Sequence, residues 1–273
     1  MKNKFLPLLL LIVILMSFAP EKRQWVAIGD SITYLNDHPE QTGNRITKGY
    51  MTLITQEHPE LNFINQGHNG WTAVKIAEKI ETLNIIIADV YTVFLGTNDW
   101  WQGKPLGSIL DYENNTGYNT FFGAYRIIVD YLKKLNPEAK VVLITPMQRV
   151  DFVYIANPKN NAFGSYRAKN NQQLEEFAEA VKMIAKKEGY KSLDLYHEKK
   201  LAHKTLVNFK RLKDPQTGEY KNYPFPDFID VPFNPEKDEY PYPVESIAMT
   251  YDGLHPSDKG YEIIAKRLWK LMK

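Results

Sequence analysis

Four short stretches carry side chains able to do chemistry. Gly29-Asp30-Ser31 puts a serine hydroxyl directly after an apolar run, and Asn65-Gln66-Gly67-His68-Asn69-Gly70 puts glycines after a second. Gly96-Thr97-Asn98-Asp99 follows a third run, and Asp252-Gly253-Leu254-His255-Pro256 sets an acid three residues before a histidine. A serine hydroxyl becomes a useful nucleophile only beside a base. A histidine held by an acid is such a base, because the acid fixes the imidazole tautomer and stabilises the imidazolium. A glycine N–H at Gly67 and the side-chain amide of Asn98 are uncharged donors suited to a developing oxyanion. Taken singly, the serine and glycine stretches read more readily as turns and the asparagine stretch as a turn or helix cap, and Asp30 reads best as a brace for its own turn.

Other chemistries fare worse. There are no cysteines, which removes disulfides, thiolate nucleophiles and cysteine-ligated zinc. Of six histidines, His38 and His58 lie in polar loops and His197 and His203 in a lysine-rich stretch; none of these four is expected to have an acid placed as Asp252 is. No pair has the spacing of a zinc site, and the Gly67–Gly70 stretch lacks the full Gly-x-Gly-x-x-Gly pattern of a dinucleotide loop. A formal charge of +2, without basic blocks interleaved with aromatics, gives no footprint for nucleic acid.

The elements that must position these residues alternate along the chain. Gln24–Ile28, Leu61–Asn65, Val90–Leu95, Val141–Thr145 and Ser192–Leu195 are short, β-branched and nearly continuous in apolar character, as strands covered on both faces are. Amphipathic stretches at Thr47–Glu57, Ala73–Leu83, Tyr118–Leu135, Ala168–Glu188 and Ser257–Leu271 predict helices, the last capped by Ser257 or Asp258. Strand then helix, repeated, implies parallel pairing through right-handed crossovers and a three-layer α/β/α sandwich. The serine, the glycine and the asparagine then fall at carboxyl ends of strands, where open α/β sheets place their ligands.

Two segments break the alternation. Residues 203–249 carry seven prolines and eight aromatic residues with little periodicity, which predicts an ordered insertion lying on the main body. At the other end, Lys2 and Lys4 precede an apolar run from Phe5 to Met16 and the small residues Ser17 and Ala19. This matches a secretory signal and is shorter than the roughly 20 residues a spanning helix needs. Pro20 is awkward just after a cut at Ala19, so an uncleaved N-terminal anchor is the alternative. Residues 1–19 are therefore read as signal or anchor and 20–273 as one domain, exported and without stable membrane insertion of its own.

Taken together, in this order and at these strand ends, the four stretches resemble the SGNH hydrolases, also called the GDSL esterase/lipase superfamily. The four name-giving residues map here to Ser31, Gly67, Asn98 and His255, and the resemblance runs from Ile28 to the final helix. One departure is Ile32 where the motif has leucine, an apolar replacement. Gly29-Asp30-Ser31-Ile32-Thr33 also lacks the second glycine of the Gly-x-Ser-x-Gly elbow of α/β-hydrolases. The resemblance implies a flavodoxin-like, five-stranded parallel sheet in the order 2-1-3-4-5. It further implies a Ser31–His255–Asp252 triad, an oxyanion hole of Ser31 N–H, Gly67 N–H and Asn98, and no metal or organic cofactor.

Substrate is less sharply drawn. Trp100 and Trp101 directly follow the asparagine stretch, and the aromatic insertion precedes Asp252, so either could line the cleft or pack the core. Aromatic faces suit sugar rings, which favours an esterase removing short acyl groups, acetyl above all, from carbohydrates. An exported O-acyltransferase or a lipase of the same fold would use the same residues. A non-catalytic glycan-binding protein would be expected to have lost Ser31 or His255, and both are present.

Overall fold

The computed structural model describes residues 22–273; the expected signal or anchor at 1–19 lies outside the described residues. Five parallel strands form the central sheet: β1 (Arg23–Gly29), β2 (Leu61–Gly67), β3 (Val90–Phe94), β4 (Lys140–Ile144) and β5 (Lys191–Leu193). Their order is β2-β1-β3-β4-β5, the predicted flavodoxin-like arrangement. β1 is flanked on both sides, Gly29 pairing with Gly67 of β2 and with Phe94 of β3. The loops after the first three strands are thereby brought side by side.

Period-two alternation explains why the strands read as continuous apolar runs. In β1, Trp25 and Ala27 face one apolar layer while Val26 and Ile28 face the other; in β4, Val142 and Ile144 alternate likewise with Val141 and Leu143. One layer is closed by helices α2 (Ala73–Lys79), α3 (Phe121–Leu135) and α4 (Leu174–Glu188). The other is closed by α1 (Tyr50–Glu57) and α5 (Asp258–Met272).

Helix boundaries differ from the predicted ones for local reasons. α4 begins at Leu174 rather than Ala168, because Asn170 and Asn171 adopt positive φ and a capping box between Gln173 and Glu176 starts the helix. α2 gives way to a 3₁₀ turn at Ile80–Thr82 before Leu83. α5 starts where the Ser257 side chain accepts from Gly260 N–H.

The 203–249 region holds a four-residue helix at His203–Leu206 and a two-stranded ribbon pairing Lys210–Lys213 with Tyr220–Tyr223. Phe228 and Tyr242 are completely buried against the layer under α1 and α5. Its tyrosines also hold a neighbouring loop: Tyr240 Oη donates to Val153 O at 2.8 Å, and Tyr242 Oη donates to Asp151 O. Lys210, itself buried, pairs with Asp151 at 2.9 Å.

Candidate active site

Ser31 is the first residue of a one-turn helix, Ser31–Tyr34, that leaves the end of β1. Asp30 caps it, its carboxylate accepting Ile32 N–H at 3.0 Å. Burial pushes the Asp30 carboxyl up to about 6, against the lowering effect of that hydrogen bond. Within the same layer, Tyr261 Oη of α5 donates to Ile32 O at 2.8 Å, so the serine turn is tied to the helix that follows His255.

Asp252 and His255 meet as their spacing predicts. His255 Nδ1 lies 2.6 Å from Asp252 Oδ2, and Asp252 Oδ1 accepts the backbone N–H groups of Leu254 at 3.0 Å and His255 at 2.8 Å. Asp252 is wholly inaccessible to solvent and His255 nearly so. The other imidazole nitrogen, Nε2, is 2.9 Å from Ser31 Oγ, across 224 residues of sequence. Phe152 packs edge-on against the imidazole and Tyr251 stacks on it, at centroid distances of 5.4 and 5.8 Å. The turn is welded to the neighbouring loop: Val150 N–H donates to Gly253 O and Val153 N–H to Asp252 O, at 3.0 and 3.2 Å. Gly253 has φ +91°, and a Cβ there would lie 2.1 Å from Asp151 O.

A cleft of about 520 Å³ opens beside this trio, lined among others by Ser31, His255, Asn98, Gly70 and Trp101. Asn98 Nδ2 donates one hydrogen to Trp71 O at 3.0 Å, leaving its second for the cleft. The Asn98 and Gly70 loops are stapled together. Asp99 Oδ2 accepts Ala73 N–H at the start of α2 at 2.8 Å, and Gln102 Nε2 donates to Gly70 O at 2.7 Å. Asp99 is completely buried, and burial raises its carboxyl to about 7.

Gly67 departs from expectation. Its N–H donates to Asn65 Oδ1 at 2.8 Å and it does not line the cleft, so it has no N–H to offer an oxyanion. Its lack of a side chain serves close packing instead: a Cβ would stand 2.2 Å from Tyr34 N in the serine's own helix. Gly70, three residues on, lines the cleft with φ +72° and open space around its α-carbon; among the described residues no acceptor takes its N–H.

The tryptophan pair divides. Trp101 lines the cleft, whereas Trp100 is fully buried in the core, its indole N–H donating to Gln172 O at 2.9 Å. Successive residues on a helical turn point about 100° apart, so one ring goes into the core and the other to the cleft, although both touch Phe163. No residue of 203–249 lines the cleft either; the far wall comes from the loop after β4, with Arg149, Phe152, Tyr154 and Asn160. Sequence reading missed that loop because it carries no motif, only single polar residues among apolar ones.

A second acid–histidine pair was also missed. Asp194 Oδ2 lies 2.9 Å from His197 Nδ1, with the same three-residue spacing as Asp252 and His255.

Comparisons with known proteins bear on the family and the fold. The sequence matches the GDSL-like lipase/acylhydrolase family over residues 27–263. A crystal structure of a protein from Chitinophaga pinensis, described as a possible lipase, is 58% identical, with a TM-score of 0.90, covering 91% of this chain and 97% of that one. A protein from Lactobacillus plantarum shares the fold at 18% identity and a TM-score of 0.61, covering 92% of this chain and 96% of its own. An acetyl xylan esterase does so at 18% identity and a TM-score of 0.54, covering 90% and 98%. No curated protein matches the sequence. With the serine-led fold, the strand order and a match across most of its length, this chain belongs to the GDSL-like lipase/acylhydrolase family.

Proposed function

We propose that the protein hydrolyses carboxylic esters through Ser31, His255 and Asp252, and that its preferred substrates carry short acyl groups on carbohydrate. The observation that carries the reading is the unbroken chain Ser31 Oγ–His255 Nε2 at 2.9 Å and His255 Nδ1–Asp252 Oδ2 at 2.6 Å, at the edge of an open cleft. His255 takes the Ser31 proton as Oγ attacks the ester carbonyl. Asp252 keeps the proton on Nδ1 and stabilises the imidazolium. The oxyanion sits among Ser31 N–H, Gly70 N–H and the free Asn98 Nδ2 hydrogen, Gly70 taking the part first assigned to Gly67. The alcohol leaves with the proton from His255, and water, activated by the same histidine, releases the acid from Ser31.

The carbohydrate part of the reading rests on the lining. The amide side chains of Gln41, Asn69, Gln102 and Asn160 share the cleft with the ring of Trp101, a mixture suited to sugar hydroxyls and faces rather than to a long alkyl chain. The apolar N-terminal run supports export, where acylated polysaccharides are met.

Wild type and Ser31→Ala are to be compared on aryl acetate, butyrate and octanoate esters and on acetylated polysaccharide. Hydrolysis should fall by about 10⁴-fold or more in the variant, with acetate preferred over octanoate in wild type. Unchanged turnover in Ser31→Ala would overturn the mechanism. Confinement to long chains would overturn the carbohydrate reading, and acyl transfer to an added sugar exceeding hydrolysis would reassign the reaction.

A further inference from the structure

Arg149 is a buried cation without an anion. It is 2% exposed, and its guanidinium lies 4.9 Å from the ring centre of Trp100 and 4.6 Å from that of Trp101. Its one side-chain hydrogen bond runs from Nη2 to Phe163 O at 2.8 Å, and Nε is buried with no acceptor. Among the described residues no carboxylate oxygen lies within 4.0 Å of it. The acids whose charge reaches it are Asp151 and Asp252, and both are engaged elsewhere. Asp151 is taken by Lys210, Gly164 N–H and the Tyr166 hydroxyl, and Asp252 by the His255 turn. Burial lowers the guanidinium to about 9, which still leaves it charged at neutral pH.

A nearly buried guanidinium with a single carbonyl acceptor and an orphaned Nε–H is costly unless an anion completes it. The open volume it borders is the cleft beside Ser31, in which, among the described residues, it is the one permanently charged lining side chain and no acid appears. A second cation reinforces the sign: Lys169 Nζ lies 4.5 Å from the ring centre of Trp101. A planar guanidinium matches a carboxylate by paired N–H donation, in a way that a sugar hydroxyl or a water cannot reproduce.

We propose that Arg149 is a specificity-determining residue that receives a carboxylate of the substrate, so that the favoured ester is an acylated acidic sugar, a uronic acid unit of a polysaccharide. This rests on the esterase reading above. The acyl group enters toward Ser31 and the oxyanion donors, and the sugar lies along Trp101 with its carboxylate against Arg149. A bracing role for Arg149 between the tryptophans would use its size and stacking but would be indifferent to substrate charge.

The test uses two mono-O-acetylated sugars that differ at one group: methyl β-glucuronoside, and methyl β-xyloside, which lacks the carboxylate. Wild type should favour the glucuronoside in kcat/KM by about 10- to 100-fold. In Arg149→Gln that ratio should collapse toward one, through KM. Because the ratio is internal to each protein, a general loss of activity or stability leaves it unmoved. Equal kcat/KM for the two sugars in wild type, or a preference that survives in Arg149→Gln, would overturn the proposal. Should Arg149→Gln not fold, inhibition of wild-type aryl acetate hydrolysis by the unacetylated glycosides decides the matter. The glucuronoside must inhibit at lower concentration than the xyloside, and the reverse order overturns the inference. Absence of Ser31-dependent hydrolysis on every ester would instead overturn the esterase reading beneath it.

Discussion

The molecule contains the same short device twice, an aspartate followed three residues later by a histidine, with opposite surroundings. In both the acid reaches Nδ1, at 2.6 Å in Asp252–His255 and 2.9 Å in Asp194–His197. The first is sealed: its side chains are 0% and 7% exposed, and the far nitrogen meets Ser31. In the second the His197 side chain is 43% exposed and the far nitrogen meets Glu175 at 3.2 Å, while Asp194 also pairs with Lys182. Spacing alone makes the pair. On the proposed reading, what sets the first apart as a base is a hydroxyl rather than a second carboxylate on its other nitrogen.

Removing each histidine separates the two most widely. His255→Ala should lower ester turnover by about 10⁴-fold or more, while His197→Ala should stay within about twofold, since surface changes away from a site seldom reach it. Steady-state rates on aryl acetate measure both. A comparable loss in His197→Ala would end the distinction drawn here.

A smaller effect tests what the buried pair needs beyond its base. Asn98→Ala should cost about 10²–10³ in kcat, the usual price of one oxyanion donor, with KM little changed. An effect confined to KM would make Asn98 a ground-state contact. Its Nδ2–Trp71 O bond also positions the Gly70 loop, so a fold check by circular dichroism belongs with the kinetics.

The glycines then ask whether the hydroxyl can be displaced without touching acid or histidine. In Gly67→Ala the new methyl must push on Tyr34 N, 2.2 Å away, and with it the Ser31–Tyr34 turn. A stability loss of about 1–3 kcal/mol with an accompanying fall in activity is expected. Gly70→Ala meets no atom within 4 Å and bears only the strain of φ +72°, about 1–2 kcal/mol. Denaturant midpoints compare them; a destabilisation in Gly70→Ala much larger than in Gly67→Ala would show that Gly67 is not the glycine on which packing of the serine turn depends.

Much of this was legible in residue type and order. β-branched runs marked the strands, and their alternation with amphipathic segments marked the parallel sheet. Strand order then turned Ser31 and Asn98, 67 positions apart in the chain, into neighbours. What stayed hidden was whatever depended on direction. Gly67 and Gly70 are equivalent as letters, and only the backbone shows that one N–H is consumed by Asn65 Oδ1. Trp100 and Trp101 are equivalent until the helical turn sends one into the core. Arg149 belongs to no motif, and the aromatic insertion turned out to support the cleft's far wall from behind through Tyr240 and Tyr242. Asp194–His197 is readable from spacing, contrary to the expectation that no acid stands before His197 as Asp252 stands before His255.

The smallest effect sharpens the comparison from the exposed side. Burial alone would lower the His197 pKa, but its hydrogen bonds to Asp194 and Glu175 outweigh that and raise it above the usual 6.5. Asp194 is held below its usual 3.8, with His197 and Lys182 overcoming its own partial burial. A histidine whose folded pKa is raised binds its proton more tightly in the folded chain. Its contribution to stability is therefore complete below about 6.5 and is lost as pH rises through the folded value. The pair should contribute from about pH 4, where Asp194 has ionised, up to that rise. Because the side chains are substantially exposed, the contribution is that of a surface ion pair, at most about 1 kcal/mol. His197→Ala should thus cost more stability at pH 5.5 than at pH 8, by denaturant unfolding at constant ionic strength, and the difference should shrink in an Asp194→Asn background. A cost that is equal at the two pH values, or greater at pH 8, would mean that the exposed pair carries no proton-linked energy. The two Asp-x-x-His turns would then differ in kind rather than in degree of burial.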